Sequence, residues 1–247
     1  MKKLAIAAIV WIFGSANSMA ADLAVAPRPA PLAQPLVTWT GCYVGFQGGW
    51  KWGTNRVDYG QNALGFVPGT AATTNYDFDG VLAGGTVGCN YQTGNFVFGI
   101  EGDAAWTGAN GESSQTAFPA MHIRTEENFL ATIRGRIGYT FSPIWLVYVT
   151  AGGAASGVTL NYSLPGSTLF NNTSQDNTLW GWTVGAGFEY LLTPNWTVKV
   201  EGLYVDYGRS SYLASNNPVS LAAFSLKLTE GIARVGINYR FNGPYAY

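Results

Sequence analysis

The chain has 247 residues, of which 11% are charged, and its 13 Lys and Arg side chains nearly balance 14 Asp and Glu side chains. An average soluble domain has about 25% charged residues, so the composition argues against an ordinary soluble enzyme. No apolar run of about 20 residues, the length of a transmembrane helix, follows residue 14, which argues against a helical membrane protein. Balanced charge without a basic run also argues against nucleic-acid binding.

The first 20 residues have the pattern of an export signal. Lys2 and Lys3 precede an apolar stretch at 4–14, and Ser18-Met19-Ala20 provides the small residues of a cleavage site. A retained anchor helix is the alternative, but the apolar stretch is too short to span a bilayer. The sequence therefore predicts a signal peptide at 1–20.

A proline-rich segment follows the predicted signal peptide. Residues 26–35 (APRPAPLAQP) contain four prolines, which exclude a helix interior or a central strand. We interpret 21–38 as an extended periplasmic spacer of the polyproline II type and 39–247 as the folded domain.

From Trp39 onward, apolar and polar residues alternate with a period of two. Glycine, β-branched and aromatic residues dominate this region, which favours strands over helices. Eight strands are predicted, at 39–53, 80–92, 95–108, 127–141, 144–161, 178–192, 195–208 and 226–241.

Short and long connections alternate strictly between the predicted strands. Short turns are predicted at Thr93-Gly94, Ser142-Pro143 and Thr193-Pro194. Long polar connections are predicted at 54–79, 109–126, 162–177 and 209–225. This alternation, with an even number of strands, is typical of an up-and-down antiparallel barrel.

The charges within the strands lie opposite the apolar face. In the segment 95–106 (NFVFGIEGDAAW), Phe98 and Ile100 share one face, whereas Glu101 and Asp103 share the other. Successive side chains of a strand point to opposite faces of the sheet. The predicted barrel therefore has one apolar face and one charged face.

A soluble lipocalin-like barrel also alternates, so other features must decide which face points outward. A soluble exterior requires more charge than this chain has, and glycines interleave with the charged face. Seven tryptophans share the apolar face near strand ends, as expected for aromatic girdles at the two lipid–water interfaces: positions 50, 52, 106, 145, 180, 182 and 196. The sequence therefore predicts an all-β, eight-stranded antiparallel up-and-down transmembrane β-barrel.

The inward charges are expected to form a salt-bridged interior network. An eight-stranded barrel is just wide enough for side chains to fill it, so nearly balanced charges favour a plug over a conducting pore. The predicted network comprises Lys51, Glu101, Asp103, Arg134, Arg136, Glu189, Lys199, Glu201, Glu230, Arg234 and Arg240.

Two cysteines follow the predicted signal peptide. Cys42 opens the first predicted strand and Cys89 lies near the end of the second, so an antiparallel pairing brings them side by side. Export leads to an oxidising compartment, and a cross-strand disulfide is predicted.

His122, the only histidine, falls in the second predicted long connection, which also contains Ser113 and Ser114. A hydrolase requires a nucleophile beside a base, but the spacing shows no ordered triad, and a solvated histidine is the favoured interpretation. The sequence contains no metal-ligand cluster, phosphate-binding glycine loop or haem motif, so no catalytic site, metal or cofactor is expected.

An ordered set of motifs resembles the alphaproteobacterial outer-membrane immunogenic protein family, which has an opacity-porin-like, OmpA-type barrel. The motifs are WTGCYVG at 39–45, GCNYQ at 88–92, RGRIGY at 134–139, YVTAGG at 148–153, GAGFEY at 185–190, NWTVKVE at 195–201 and RVGINYRF at 234–241. The resemblance implies an eight-stranded barrel in the outer membrane of a Gram-negative bacterium, with surface-exposed antigenic loops and no catalytic residues.

We therefore expect a structural, surface-antigen barrel. The first alternative is a narrow non-specific channel. The second, which no catalytic motif in the sequence supports, is a lipid-modifying enzyme. The expected partners are outer-membrane lipid and lipopolysaccharide, with host or environmental ligands at the loops. The sequence leaves open the oligomeric state and whether Phe241 or Tyr247 is the aromatic residue read during assembly.

Overall fold

The computed structural model describes residues 37–59, 73–114, 122–163, 173–213 and 223–241. The predicted signal peptide, residues 21–36 of the predicted spacer, and Tyr247 lie outside the described residues. Among the residues that are described, no helix is long and apolar enough to cross a membrane.

Eight antiparallel strands form a closed barrel, which confirms the predicted fold. Each strand pairs with its neighbours in sequence, and β1 pairs with β8, so that the sheet has no free edge. The strands are β1 (Gly41–Tyr59), β2 (Thr73–Thr93), β3 (Phe96–Ser114), β4 (His122–Ser142), β5 (Trp145–Ser163), β6 (Thr173–Thr193), β7 (Trp196–Leu213) and β8 (Ala223–Arg240).

The strands are longer than the alternation predicted, so parts of the predicted loops are wrong. β1 continues to Tyr59 instead of ending at 53, β2 begins at Thr73 instead of 80, and β4 begins at His122 instead of 127. Strands of 18–21 residues exceed the roughly 9–11 residues that span a bilayer. The extra residues lie beyond the apolar band. Because no lipid contacts the strands there, their outer face need not be apolar.

The two ends of the barrel differ in their connections. Short turns at 94–95, 143–144 and 194–195 lie one residue later than predicted, and Gly94 has φ 58°, a conformation that glycine adopts at little cost. We call this the short-turn end. The opposite end, which carries all the longer connections, is the long-connection end.

The outer wall is apolar and carries aromatic side chains toward both ends. Trp106 and Trp180, in the half nearer the long connections, are 79% and 76% exposed. Near the short turns, Trp145 and Tyr190 pack with ring centroids 4.6 Å apart. Such an apolar band with flanking aromatic residues is suited to lipid rather than to water.

The interior has three layers, and apolar side chains fill two of them beside the charged residues. The layer toward the long-connection end is largely apolar, and we call it the apolar layer: Phe78, Leu82, Ala105, Ala109, Leu130, Ala154, Val158, Leu179, Leu203, Val205, Tyr207, Leu228 and Ile232. Charged residues occupy the middle. A second apolar group, the mouth cluster, lies toward the short turns: Trp39, Val97, Leu146, Tyr148 and Leu191.

Candidate functional site

All eleven residues of the predicted charge network are buried, with at most 7% of any residue exposed. They do not form one network. Eight of them lie together in the middle layer, which we call the central network: Glu101, Asp103, Arg134, Arg136, Glu189, Lys199, Glu201 and Arg234. Lys51 and Glu230 form a separate group, and Arg240 lies nearer the short-turn end.

Arg134 joins three carboxylates in the central network. Its Nη2 donates to Glu101 Oε1 at 2.5 Å and to Asp103 Oδ2 at 2.7 Å. Its Nη1 donates to Glu201 Oε1 at 3.0 Å, and its Nε donates to Thr132 Oγ1 at 2.9 Å. The planar guanidinium with several donors is suited to this bridging role.

Further cations contact the same carboxylates. Arg234 donates from Nε to Glu201 Oε2 at 2.7 Å and from Nη1 to Asp103 Oδ1 at 3.0 Å. Lys199 Nζ donates to Glu101 Oε2 at 2.9 Å. Each of these carboxylates therefore has at least two cationic partners, which offsets the cost of removing it from water.

Arg136 connects the carboxylates to two buried tyrosines. Its Nη2 donates to Glu189 Oε2 at 2.9 Å, and its Nη1 donates to the Tyr43 hydroxyl at 2.8 Å. The Tyr43 hydroxyl donates to Glu101 Oε2 at 2.6 Å. The Arg136 guanidinium also lies 4.0 Å from the ring centroid of Tyr148, within the range of a cation–π interaction.

Glycines make room for these two tyrosines across the narrow lumen. A Cβ atom on Gly88 would lie 2.4 Å from the Tyr43 hydroxyl oxygen, and one on Gly187 would lie 2.7 Å from the Tyr148 hydroxyl oxygen. The two tyrosine side chains therefore fill the lumen by packing against the backbone of glycines on neighbouring strands.

A second polar group lies within the apolar layer. Lys51 Nζ forms an ion pair with Glu127 Oε2 and lies 2.8 Å from Glu230 Oε2. Ser156 Oγ donates to Glu127 Oε1 at 2.6 Å. The predicted network omitted Glu127, the first residue of a predicted strand. Alternation places Glu127 on the outer face of β4 together with Phe129. The register is irregular between these two residues, so alternation along the strand does not predict the inward position of Glu127.

Arg240 takes part in the closure of the short-turn end, and its guanidinium also interacts electrostatically with Glu189 of the central network. Its Nη2 donates to the carbonyl oxygen of Thr38, and its guanidinium lies 5.2 Å from the ring centroid of Trp39. Trp39 is 1% exposed, and its indole Nε1 donates to the Pro143 carbonyl oxygen at 3.2 Å. The residues just before β1 therefore fill the barrel at its short-turn end.

The two cysteines are joined by a disulfide. Cys42 of β1 lies directly opposite Cys89 of β2, and their Cα atoms are 3.9 Å apart. Both residues lie on the outer face near the short-turn end. The bond fastens the first hairpin outside the charged interior.

His122 is the first residue of β4 rather than a loop residue, which corrects its predicted place. In the register of the β3–β4 pair, it lies opposite Ser114, and Ser113 lies opposite Ile123. The absence of a catalytic site stays a prediction.

Comparisons with known proteins agree with this fold. The family described as "Outer membrane protein beta-barrel domain" matches residues 20–241. The 31 kDa outer-membrane immunogenic protein of Brucella melitensis is 31% identical over 245 residues, covering 98% of this chain and 100% of that protein. The 22 kDa outer membrane protein of Rhizobium leguminosarum bv. viciae is 28% identical over 215 residues, covering 87% and 83%.

A solved structure extends the agreement to three dimensions. The outer membrane protein OprG from Pseudomonas aeruginosa matches with a TM-score of 0.53 and 15% identity, covering 85% of this chain and 100% of that chain. At this identity the likeness concerns the fold alone. Because the family match and the relatives span almost the whole chain, this protein belongs to the outer-membrane β-barrel family, with the immunogenic proteins of alphaproteobacteria, and resides in the outer membrane of a Gram-negative bacterium.

Proposed function

We propose that this protein is a closed structural barrel that displays its long connections at the cell surface and does not conduct ions. The observation that carries the proposal is the filled interior. The central network, the apolar layer and the mouth cluster occupy successive levels of the lumen. An ion would have to cross all three levels, and two of them are largely apolar.

The charge balance of the central network supports closure rather than transport. Four cations face four carboxylates, and the side chains of its ion pairs are at most 2% exposed. Groups that pair this completely do not provide the excess of one sign that attracts ions into a pore. The narrow width of an eight-stranded barrel, which side chains alone can fill, also favours a closed lumen.

The surface role is supported by the connections and by the relatives. Three of the four segments between the strands at the long-connection end, 60–72, 164–172 and 214–222, are rich in Asn, Ser, Thr and Gly, and exposed loops on a rigid scaffold commonly carry recognition. Relatives from Brucella are named immunogenic proteins. Lipopolysaccharide and lipid surround the barrel in this proposal, and the long connections meet host or environmental ligands.

Conductance measurements test closure. Purified protein in planar bilayers should produce no single-channel steps under conditions in which a general porin, measured as the positive control, conducts. Stable steps of uniform size would contradict the proposal and favour the narrow channel.

Epitope insertion tests surface display. An epitope placed in the segment 164–172 should be labelled by antibody on intact cells, whereas the same epitope at 143–144, a short turn, should be labelled only after permeabilisation. The reverse pattern would contradict the proposed orientation.

Lipid analysis tests the non-enzymatic role. Mass spectra of lipid A from cells with and without the gene should be identical. A product that disappears in the deletion strain and in His122→Ala would overturn this part of the proposal.

A further inference from the structure

The polar group inside the apolar layer contains more buried negative charge than positive charge. We call this group the outer chamber: Lys51, Asn55, Glu127, Ser156, Tyr207 and Glu230. The side chains of the one lysine and two glutamates are between 0% and 2% exposed. If both carboxylates were ionised, the chamber would carry one uncompensated negative charge away from water.

The surroundings of Glu230 offer no second cation among the described residues. Gly53 of β1 and Val205 of β7 lie directly opposite Glu230 in the two strand pairs. The titratable groups that face it from the packed strands are Lys51, Glu127 and the Tyr207 hydroxyl. A buried carboxylate without a cationic partner becomes neutral most directly by taking up a proton.

Hydrogen bonding distinguishes the two glutamates. Glu127 accepts a hydrogen bond from Ser156 and another from Lys51. Glu230 Oε1, both polar atoms of the Asn55 amide and the Tyr207 hydroxyl have no hydrogen-bond partner among the described residues. Buried polar groups seldom remain unpaired. A proton on Glu230 would convert an acceptor into a donor and remove the excess charge at the same time.

The strand register places Glu230 within reach of both Lys51 and Asn55. Glu230 lies opposite Gly53, and Lys51 and Asn55 are the next inward residues on either side of Gly53. Diagonal neighbours of this kind are within reach of long side chains. In the strand register, Glu230 therefore lies between the positions of Lys51 and Asn55, and the Asn55 amide has no hydrogen-bond partner among the described residues.

The central network provides the contrast. Its four carboxylates face four cations, so it is neutral with every group ionised. The outer chamber reaches neutrality only by gaining one positive charge.

We propose that Glu230 holds a proton in the folded barrel at neutral pH. The proton makes the outer chamber neutral, and its loss at alkaline pH places an uncompensated charge within the apolar layer. The half of the barrel that carries the long connections is then selectively weakened by alkali. This inference does not depend on the proposed surface role.

Infrared spectroscopy of the folded protein in detergent tests the proton directly. The wild type should show the C=O stretch of a protonated, slowly exchanging carboxylic acid at neutral pH. The band should disappear in Glu230→Gln and in Glu127→Gln, because either variant leaves one carboxylate with Lys51. The matched control Glu201→Gln, in the central network, should keep the band. A wild type without the band, or a band that survives both outer-chamber variants, would overturn the proposal.

Urea unfolding provides a second readout. The urea concentration at the wild-type unfolding midpoint should decrease when the pH is raised from neutral to mildly alkaline. The midpoint of Glu230→Gln should not change over this range, and at neutral pH it should equal or exceed the wild-type value. Failure of Glu230→Gln to fold would contradict the proposal, since the amide is isosteric with a protonated acid. A midpoint that depends on sodium, but not on choline at equal ionic strength, would assign the missing charge to a bound metal cation instead.

Discussion

Replacing Arg134 with methionine removes a cation from the centre of the barrel while keeping much of its volume. Arg134 contacts Glu101, Asp103 and Glu201, and its side chain is fully buried. Removing one partner of a buried ion pair costs about 3–5 kcal/mol. Lys199 and Arg234 still contact the three carboxylates, so we expect the lower end of this range, about 3 kcal/mol.

The neutrality of the network predicts a change of sign in a double-mutant cycle. Glu201→Gln alone leaves an excess cation and should destabilise the wild type. In the Arg134→Met background the same substitution restores three cations against three carboxylates, and it should therefore stabilise the protein.

Urea unfolding of the barrel in lipid vesicles measures both effects, with folding followed by heat-modifiable migration in gels. Lys227→Met is the matched control, because Lys227 Nζ lies 4.0 Å from Asp206 and its side chain is 46% exposed; exposed pairs contribute only about 0–1 kcal/mol. If Glu201→Gln destabilises both backgrounds equally, net neutrality does not govern the stability of the interior.

Three further predictions use the same unfolding assay. Trp39→Ala should cost about 3–5 kcal/mol because it empties the mouth cluster, and an unchanged midpoint would show that the indole is not packed there. Ile133→Arg, at a position that is 73% exposed on the outer wall, should cost about 2–4 kcal/mol in lipid, with Ile133→Leu as the neutral control. Replacing Cys42 and Cys89 with serine should cost roughly 2–4 kcal/mol, and alkylation of the non-reduced wild type should detect no free thiol.

The sequence allowed the faces of the barrel to be predicted but not the ends of its strands. Ile133 and Arg134 lie on opposite faces as predicted, because lipid and a narrow lumen impose opposite polarity on successive residues. Thr73 and His122 begin strands that were predicted to start later. Beyond the apolar band, hydrogen bonding within the sheet continues without alternation, and so the pattern carries no signal there.

The composition of the lumen was only partly predictable. Leu130, Leu203 and Ile232 point inward despite being apolar, since a narrow lumen must be filled whether or not its residues are charged. Their signal was present, because each has the same parity as a charged residue on its strand. The division between the central network and the outer chamber depends on the relative heights of strands, which alternation within a single strand does not reveal.

The central network also constrains the order of barrel assembly. Arg234 contacts Asp103 across 131 residues of sequence, and Lys199 contacts Glu101 across 98. These carboxylates lie on β3 and already contact Arg134 of β4, but two further cationic partners are carried by β7 and β8, so the network is complete only when the last strands arrive. A partly assembled sheet would leave some hydrogen-bonding groups of this network without their remaining partners where its inner face must lose water. Closure of the β1–β8 seam and dehydration of the lumen should therefore occur together, which favours a single cooperative insertion over stepwise addition of finished hairpins.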